Sequence, residues 1–320
     1  MNQRSLIEQL DTAIHAMLAN RAASAAALEA ENEPLLAIAR DLRDLPREDF
    51  KTRLKEDLQR RTKMSTTTIS ETTVVQTVTP YITTDKAVEL IECVKQALDA
   101  EEIMRATGSA GGLHCEVRLA DSRLMIGGGG GGEYRGPSMP TSIHLYVSDV
   151  DATYHRAINV GATSLREPAD MDYGDREASV QDLAGNQWYF GAVRNRELPA
   201  GTRAATLYLH PRSADKFLEF LKQAFGAEEA EIYRDPNGII VHGQVRIGNS
   251  IIEMGEAHGE WGPMPTMIYL QVEDADAAYE RALKAGATSL SAPADQPYGA
   301  RSSAVQDAEG NQWYVAAPLK

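Results

Sequence analysis

The 320-residue chain is short of several things, and each shortage narrows the field. It has 2 cysteines, Cys93 and Cys115, at no metal-type spacing. That pattern suits buried thiols in a reducing compartment, the cytoplasm, better than a disulfide framework or a zinc site. No run approaches the roughly 18 apolar residues of a membrane span. The Met1-Asn-Gln-Arg-Ser-Leu start has neither an apolar signal core nor a cleavage site. The expectation is a cytoplasmic protein without a membrane partner. Positive charge is also scarce: 32 Lys and Arg face 46 Asp and Glu, a formal net charge of -14. Phosphate binding needs a basic patch, so nucleic acid is excluded as a partner. No Ser/His/Asp or Cys/His nucleophile system is visible.

What the chain does have is a repeat. Met139–Ala192 and Met264–Ala317 match at more than half their positions, at an offset of about 125 residues. Both carry Met-Pro-Thr, then Asp-x-Asp-Ala-x-Tyr-x-Arg-Ala, Gly-Ala-Thr-Ser-Leu and Pro-Ala-Asp. Both run on through Tyr-Gly-x-Arg and Val-Gln-Asp to Gly-Asn-Gln-Trp-Tyr. A binding site on such a duplication occurs twice or lies between the copies.

Residues 1–63 read as a helical N-terminal segment. Leu6, Leu10, Ile14, Met17 and Leu18 form an amphipathic stripe, and Pro46 with Glu48 and Asp49 is a good helix start. Such helices suit packing on the rest of the chain, self-association or a protein partner; a regulatory adaptor is the alternative. Residues 64–73 are a Ser/Thr-rich linker. From Val74 the pattern turns to strands and helices. It gives two copies, 74–193 and 203–317, each of two strand–helix–three-strand modules, expected to pair as an internal pseudo-dimer.

The module order, Asp149-Val-Asp-Ala, Gly161-Ala-Thr and Asp182-x-x-Gly-Asn-x-Trp188 resemble the vicinal oxygen chelate superfamily of glyoxalases, bleomycin-resistance proteins and extradiol dioxygenases. Thr79-Pro-Tyr-Ile and His114-Cys-Glu-Val-Arg resemble its PhnB-like branch. The resemblance covers roughly residues 75–317. It implies an α+β fold: tandem glyoxalase/bleomycin-resistance domains, each of two βαβββ modules forming a curved sheet with helices outside and the ligand in the hollow.

Strand alternation then sorts the side chains. Ile143, Leu145 and Val147 are expected on the helix side, with His144 and Tyr146 in the hollow. Ile268 and Leu270 are the counterparts outside, Tyr269 and Gln271 inside. His114 and Glu116 share a face, as do His242 and Gln244. Tyr81, Tyr189, Tyr208 and Tyr314 complete the lining. The first hollow is expected to combine Tyr81, Glu116, His144, Tyr146 and Tyr189, favouring an aromatic ligand with a donor or positive charge. Trp188, Trp313 and Cys115 belong on the helix side. Gly127–Gly132 reads as a flexible connection. Arg176 and Arg301 are either anion clamps or loop-to-sheet anchors.

The family's enzymes hold a divalent metal through His and Glu side chains on these strands. Here the corresponding positions fall near Thr77 and Ala204, Ser142 and Met267, and Tyr189 and Tyr314. Glu253, opposite Met125 in the other copy, is the one carboxylate at a fitting place, with His210 and His242 as conceivable companions. The expectation is no cofactor: a metal-independent protein that binds a small aromatic or apolar ligand. A metal-dependent lyase, isomerase or dioxygenase with a non-standard site in the second copy is the alternative.

Overall fold

The computed structural model describes residues 76–108, 111–129, 137–194, 197–259 and 261–319. The expectations for 1–63 and 64–73 lie outside these residues. Module one comprises β1 (Val78–Thr84), α1 (Ala87–Leu98), β2 (Glu101–Thr107), β3 (Leu113–Leu119) and β4 (Ser122–Gly128). Module two comprises β5 (Ser142–Tyr146), α2 (Val150–Asn159), β6 (Thr163–Asp170), β7 (Arg176–Gln181) and β8 (Gln187–Ala192). Module three comprises β9 (Ala205–Leu209), α3 (Ala214–Phe225), β10 (Glu228–Arg234), β11 (Ile240–Ile247) and β12 (Ser250–Met254). Module four comprises β13 (Met267–Gln271), α4 (Ala275–Lys284), β14 (Thr288–Asp295), β15 (Ala300–Gln306) and β16 (Gln312–Pro318). No helix of the described residues is long and apolar enough to cross a membrane.

The repeated motifs are local devices. Asp149 and Asp274 cap α2 and α4, each accepting a bond from the backbone N–H three residues on at 2.9 Å. Asp182 accepts from the backbone N–H groups of Ala184 and Asn186, from Asn186 Nδ2 and from Trp188 Nε1, the last at 2.9 Å. Asp307 repeats the arrangement with Glu309, Asn311 and Trp313. Asn186 Oδ1 and Asn311 Oδ1 then accept from the backbone of Thr141 and Thr266 at 3.0 and 3.1 Å. One carboxylate thus ties the tight turn, the core tryptophan and the start of the module together. Arg176 and Arg301 are structural anchors: Arg176 binds Asp151 and Asp170, Arg301 binds Asp276 and Asp295.

The sheets depart from the expected arrangement. Strands run β14-β15-β16-β13-β1-β4-β3-β2 in one eight-stranded sheet and β10-β11-β12-β9-β5-β8-β7-β6 in the other. Sheet one therefore joins module one to module four, and sheet two joins modules two and three. The central pairs are antiparallel and cross the copies, Thr79 opposite Tyr269 and Ser142 opposite Tyr208. The helix-side cores do follow the copies. Leu90, Ile91, Tyr154 and Trp188 share one cluster; Phe217, Leu221, Tyr279 and Trp313 share the other. A pair of equivalent turns joins the two sheets: Ser122 Oγ accepts from Ala205 N at 2.7 Å, and Ser250 Oγ from Val78 N at 3.1 Å. Each module offers the same kind of edge strand, so a module can complete a sheet with either partner. Nothing local in the sequence distinguishes the two pairings.

The glycine run also differs from expectation in its first residues. Gly127 and Gly128 belong to β4. A Cβ on Gly127 would stand 2.9 Å from the Tyr81 hydroxyl, and one on Gly128 (φ 129) 2.0 Å from the Thr84 carbonyl oxygen. These glycines let strands and a tyrosine ring approach closely. Residues 130–132 lie outside the described residues.

Candidate functional site

The alternation expected for β5 holds. Ile143 and Leu145 are buried in the helix-side core, while His144 and Tyr146 are half-buried on the other face. On β12 the same face presents Glu253, which is 0 % exposed. Its carboxylate is fully engaged by side chains. Oε2 lies 2.8 Å from His144 Nδ1. Oε1 accepts from Tyr146 Oη at 2.7 Å and from Gln244 Nε2 at 2.8 Å. The His144 ring stacks on Tyr146 at a centroid distance of 4.2 Å. Burial pushes the Glu253 carboxyl upward, but the His144 and His242 imidazoles and the Tyr146 hydrogen bond outweigh it and hold the group well below the ordinary carboxylate range. Glu253 is thus an ionised group at the floor of the sheet.

Over this floor opens a cavity of about 510 Å³. His144, Tyr189, Tyr208, His210 and His242 line it from the central strands. His258 and Trp261 reach in from the segment after β12, Arg166, Glu177, Glu231 and Tyr233 from β6, β7 and β10, and Tyr173 from the turn between β6 and β7. The rings form a connected wall: Tyr189 to Tyr208 at 5.7 Å, Tyr189 to Trp261 at 5.5 Å, and Trp261 parallel to His210 at 6.2 Å with an interplanar angle of 11°. Burial, with the His258 ring nearby, pushes His210 down to about 4, so its ring is neutral at pH 7. Burial raises the Tyr208 and Tyr189 phenols, keeping both protonated as donors.

Of the lining expected from the sequence, the cavity gathers His144, Tyr189, Tyr208 and His242, with Tyr146, Gln244 and Glu253 bonded together at its base. The others belong to sheet one. There Tyr81 Oη lies 2.8 Å from His114 Nδ1, His114 Nε2 lies 3.7 Å from Glu116, and Arg123 pairs with Glu116 at 2.9 Å. Tyr314 lies 6.5 Å from Tyr81, and Tyr269 donates to Gln271 at 3.3 Å. The expected first hollow is therefore corrected: Tyr81 and Glu116 are on a different sheet from His144, Tyr146 and Tyr189, because the modules pair across the copies. Cys115 is buried in the helix-side core, as expected, its thiol pushed up to about 11 by burial.

Arg166, Tyr173, Glu177, Glu231 and Tyr233 were not legible as site residues from the sequence. Ladder register is the signal that exposes two of them. Glu231 stands opposite Gln244 and Tyr233 opposite His242, so they share the face of residues already assigned to the hollow.

The donors around Glu253 do not suit a catalytic divalent ion. Both carboxylate oxygens already carry bonds from His144, Tyr146 and Gln244, and the ligand positions of the second and last strands are filled by the hydroxyl side chains of Ser142 and Tyr189, so that His144, His210 and His242 are the imidazoles near it. Among the described residues no three His, Cys, Asp or Glu side chains converge in metal-holding geometry.

Gly191 tests this geometry. A Cβ there would stand 2.5 Å from His144 Nε2, and that ring cannot swing away without leaving Glu253. Gly191→Ala is expected to cost about 1–3 kcal/mol in chemical denaturation. A loss below about 0.5 kcal/mol would show that the imidazole is not fixed as described.

Comparison with known proteins agrees with this architecture. Residues 207–315 match the family model of the Glyoxalase/Bleomycin resistance protein/Dioxygenase superfamily. An uncharacterized protein of Mycobacterium bovis is 35% identical over 121 residues, which is 35% of this chain and 80% of that protein. An uncharacterized protein of Mycobacterium tuberculosis is likewise 35% identical over 121 residues, covering 71% of its length. Among solved structures, glyoxalase I from Zea mays superposes with a TM-score of 0.59 at 11% identity, over 75% of this chain and 92% of that one. A putative dioxygenase from Bacillus subtilis gives 0.51 at 10% identity, over 75% and 84%. The structural likenesses speak for the fold alone. With the family match and the mycobacterial relatives beside the four βαβββ modules, the chain belongs to the glyoxalase/bleomycin resistance protein/dioxygenase superfamily.

Proposed function

We propose that the protein binds a small aromatic molecule without a metal, as a sequestration or resistance-type member of its superfamily. The observation that carries this is the aromatic cavity of sheet two, set over a carboxylate already satisfied by three protein donors. Tyrosine and tryptophan faces hold flat rings, and hydroxyls and imidazoles at their edges fix orientation. A group that accepts three hydrogen bonds from its own protein serves as a scaffold for those side chains. The PhnB-like assignment rests on Thr79-Pro-Tyr-Ile and His114-Cys-Glu-Val-Arg, and the cytoplasmic one on the free thiols Cys93 and Cys115. Self-association through residues 1–63 belongs to the same proposal.

The test is a calorimetric titration of two-ring aromatic compounds in the presence of a chelator. Binding is expected to persist, and Trp261→Ala to weaken it about tenfold. Failure of every such compound to bind would refute the cavity as a site. One equivalent of zinc, iron or manganese that leaves on Glu253→Ala would restore the metal-dependent lyase, isomerase or dioxygenase.

A further inference from the structure

The cavity's polar groups do more than admit an aromatic ring; they select its charge. We propose that the ligand is an aromatic cation, a flat ring system bearing a protonated or quaternary nitrogen. This inference rests on the binding proposal above and adds the ligand's charge to it.

The fixed charges around the cavity are unbalanced. Among the described lining residues the carboxylates are Glu177, Glu231 and Glu256, and the fixed cation is Arg166. Arg166 is already committed, its Nη1 3.7 Å from Glu177 Oε2. No Lys or Arg of the described residues neutralises Glu231 or Glu256. Glu231 accepts only a hydroxyl bond from Tyr233 at 3.3 Å. Glu256 takes the backbone N–H of Ala214 at 2.9 Å, at the start of α3. An anionic ligand would meet Glu231 with no guanidinium free to receive it, and only the imidazoles of His242 and His258 beside it, while Glu256 is turned to the N-terminus of α3. A cation would be attracted by Glu231.

The apolar wall has the same preference. Aromatic faces carry negative electrostatic potential and draw cations lying within about 6 Å of the ring centre. Tyr189 packs against both Tyr208 and Trp261, and the three rings line the cavity as one aromatic wall.

One buried acceptor is also without a donor. Gln244 is 1 % exposed, and its Oε1 has no hydrogen-bond partner. The amide cannot be turned round, because Nε2 must donate to the Glu253 carboxylate. Gln244 lies two residues from His242 on β11 and so shares its face. The sheet there is in deficit of donors, which a ligand N–H or a water that it positions would supply.

The experiment uses the full chain and three size-matched probes: 1-methylquinolinium (cation), 1-naphthol (neutral) and 1-naphthoate (anion). Calorimetry is run at low and moderate salt. The cation is expected to bind at least about tenfold more tightly than the anion, with affinity falling as salt rises. Glu231→Gln, an isosteric change on a half-buried strand position, is expected to weaken 1-methylquinolinium about fivefold and leave 1-naphthol unchanged. Binding of 1-naphthoate or 1-naphthol as tightly as the cation would overturn the charge assignment while leaving the cavity a binding site. A Glu231→Gln loss shared equally by all three probes would also overturn it, since only structure would then have changed. If none of the three binds, the underlying binding proposal fails as well.

Discussion

Replacing His144 with alanine is expected to destabilise the protein by about 3–5 kcal/mol, measured by urea unfolding at pH 7. Glu253 is 0 % exposed, and His144 supplies an imidazole hydrogen bond to its carboxylate, at 2.8 Å. Removing the ring leaves an ionised group in the interior with the neutral donors Tyr146 and Gln244 and the more distant His242 imidazole. The cost is mainly that of the stranded charge. It follows that His144→Ala combined with Glu253→Gln should recover most of the loss, because the charge goes with its partner. A single variant within 1 kcal/mol of wild type, or a double variant no better than the single, would show that the pair is not the buried contact described here. The acid limb gives a second check. Glu253 is held below its ordinary value, 4.5, in the folded state. Its contribution is therefore present above that pH and is lost as pH falls through the folded-state value. Glu253→Gln should flatten the acid-side decline in stability below about pH 4.5, not the neutral region.

Asp307→Ala is expected to cost about 3–5 kcal/mol, the sum of several charge-assisted bonds less the desolvation of the carboxylate. Asp307 accepts from two backbone N–H groups and from the side chains of Asn311 and Trp313 at 2.9 and 2.8 Å. Alanine strands these donors in a region where Trp313 is 0 % exposed and Asn311 4 %. Trp313→Phe removes one donor and some ring volume, and should cost less, about 1–3 kcal/mol. Chemical denaturation of both variants ranks them. If Trp313→Phe proved the more damaging, ring packing rather than the carboxylate hub would hold the turn. Burial raises Asp307 above its ordinary value, opposite to Glu253, so its ionisation opposes folding and partly offsets the bonds it receives.

Much of this molecule could be read from its residues. The Asp-x-Asp-Ala motif predicts a capped helix because an aspartate before a helix satisfies an exposed N–H, and α2 and α4 start there. Strand alternation assigns Ile143 and Leu145 to the core and His144 to the hollow, because side chains on a strand point to opposite faces. Trp188 and Trp313 sit on the helix side for the same reason. That Trp261 stacks over His210 depends on where the segment after β12 folds back, which periodicity does not encode.

The sequence by itself determined the four modules, their faces and the helix-side cores, since periodicity and capping act within a few residues of the chain. Only the tertiary structure decided which module completes which sheet. All four modules offer their first strand as the pairing edge, so pairing module two with module three rather than with module one leaves every local pattern unchanged. That choice nevertheless sets the site. It brings His144 and Tyr146 of one copy onto Glu253 and Gln244 of the other, and it separates them from Tyr81 and Glu116. Contacts between residues about a hundred positions apart arise from strand pairing, which local sequence periodicity does not encode.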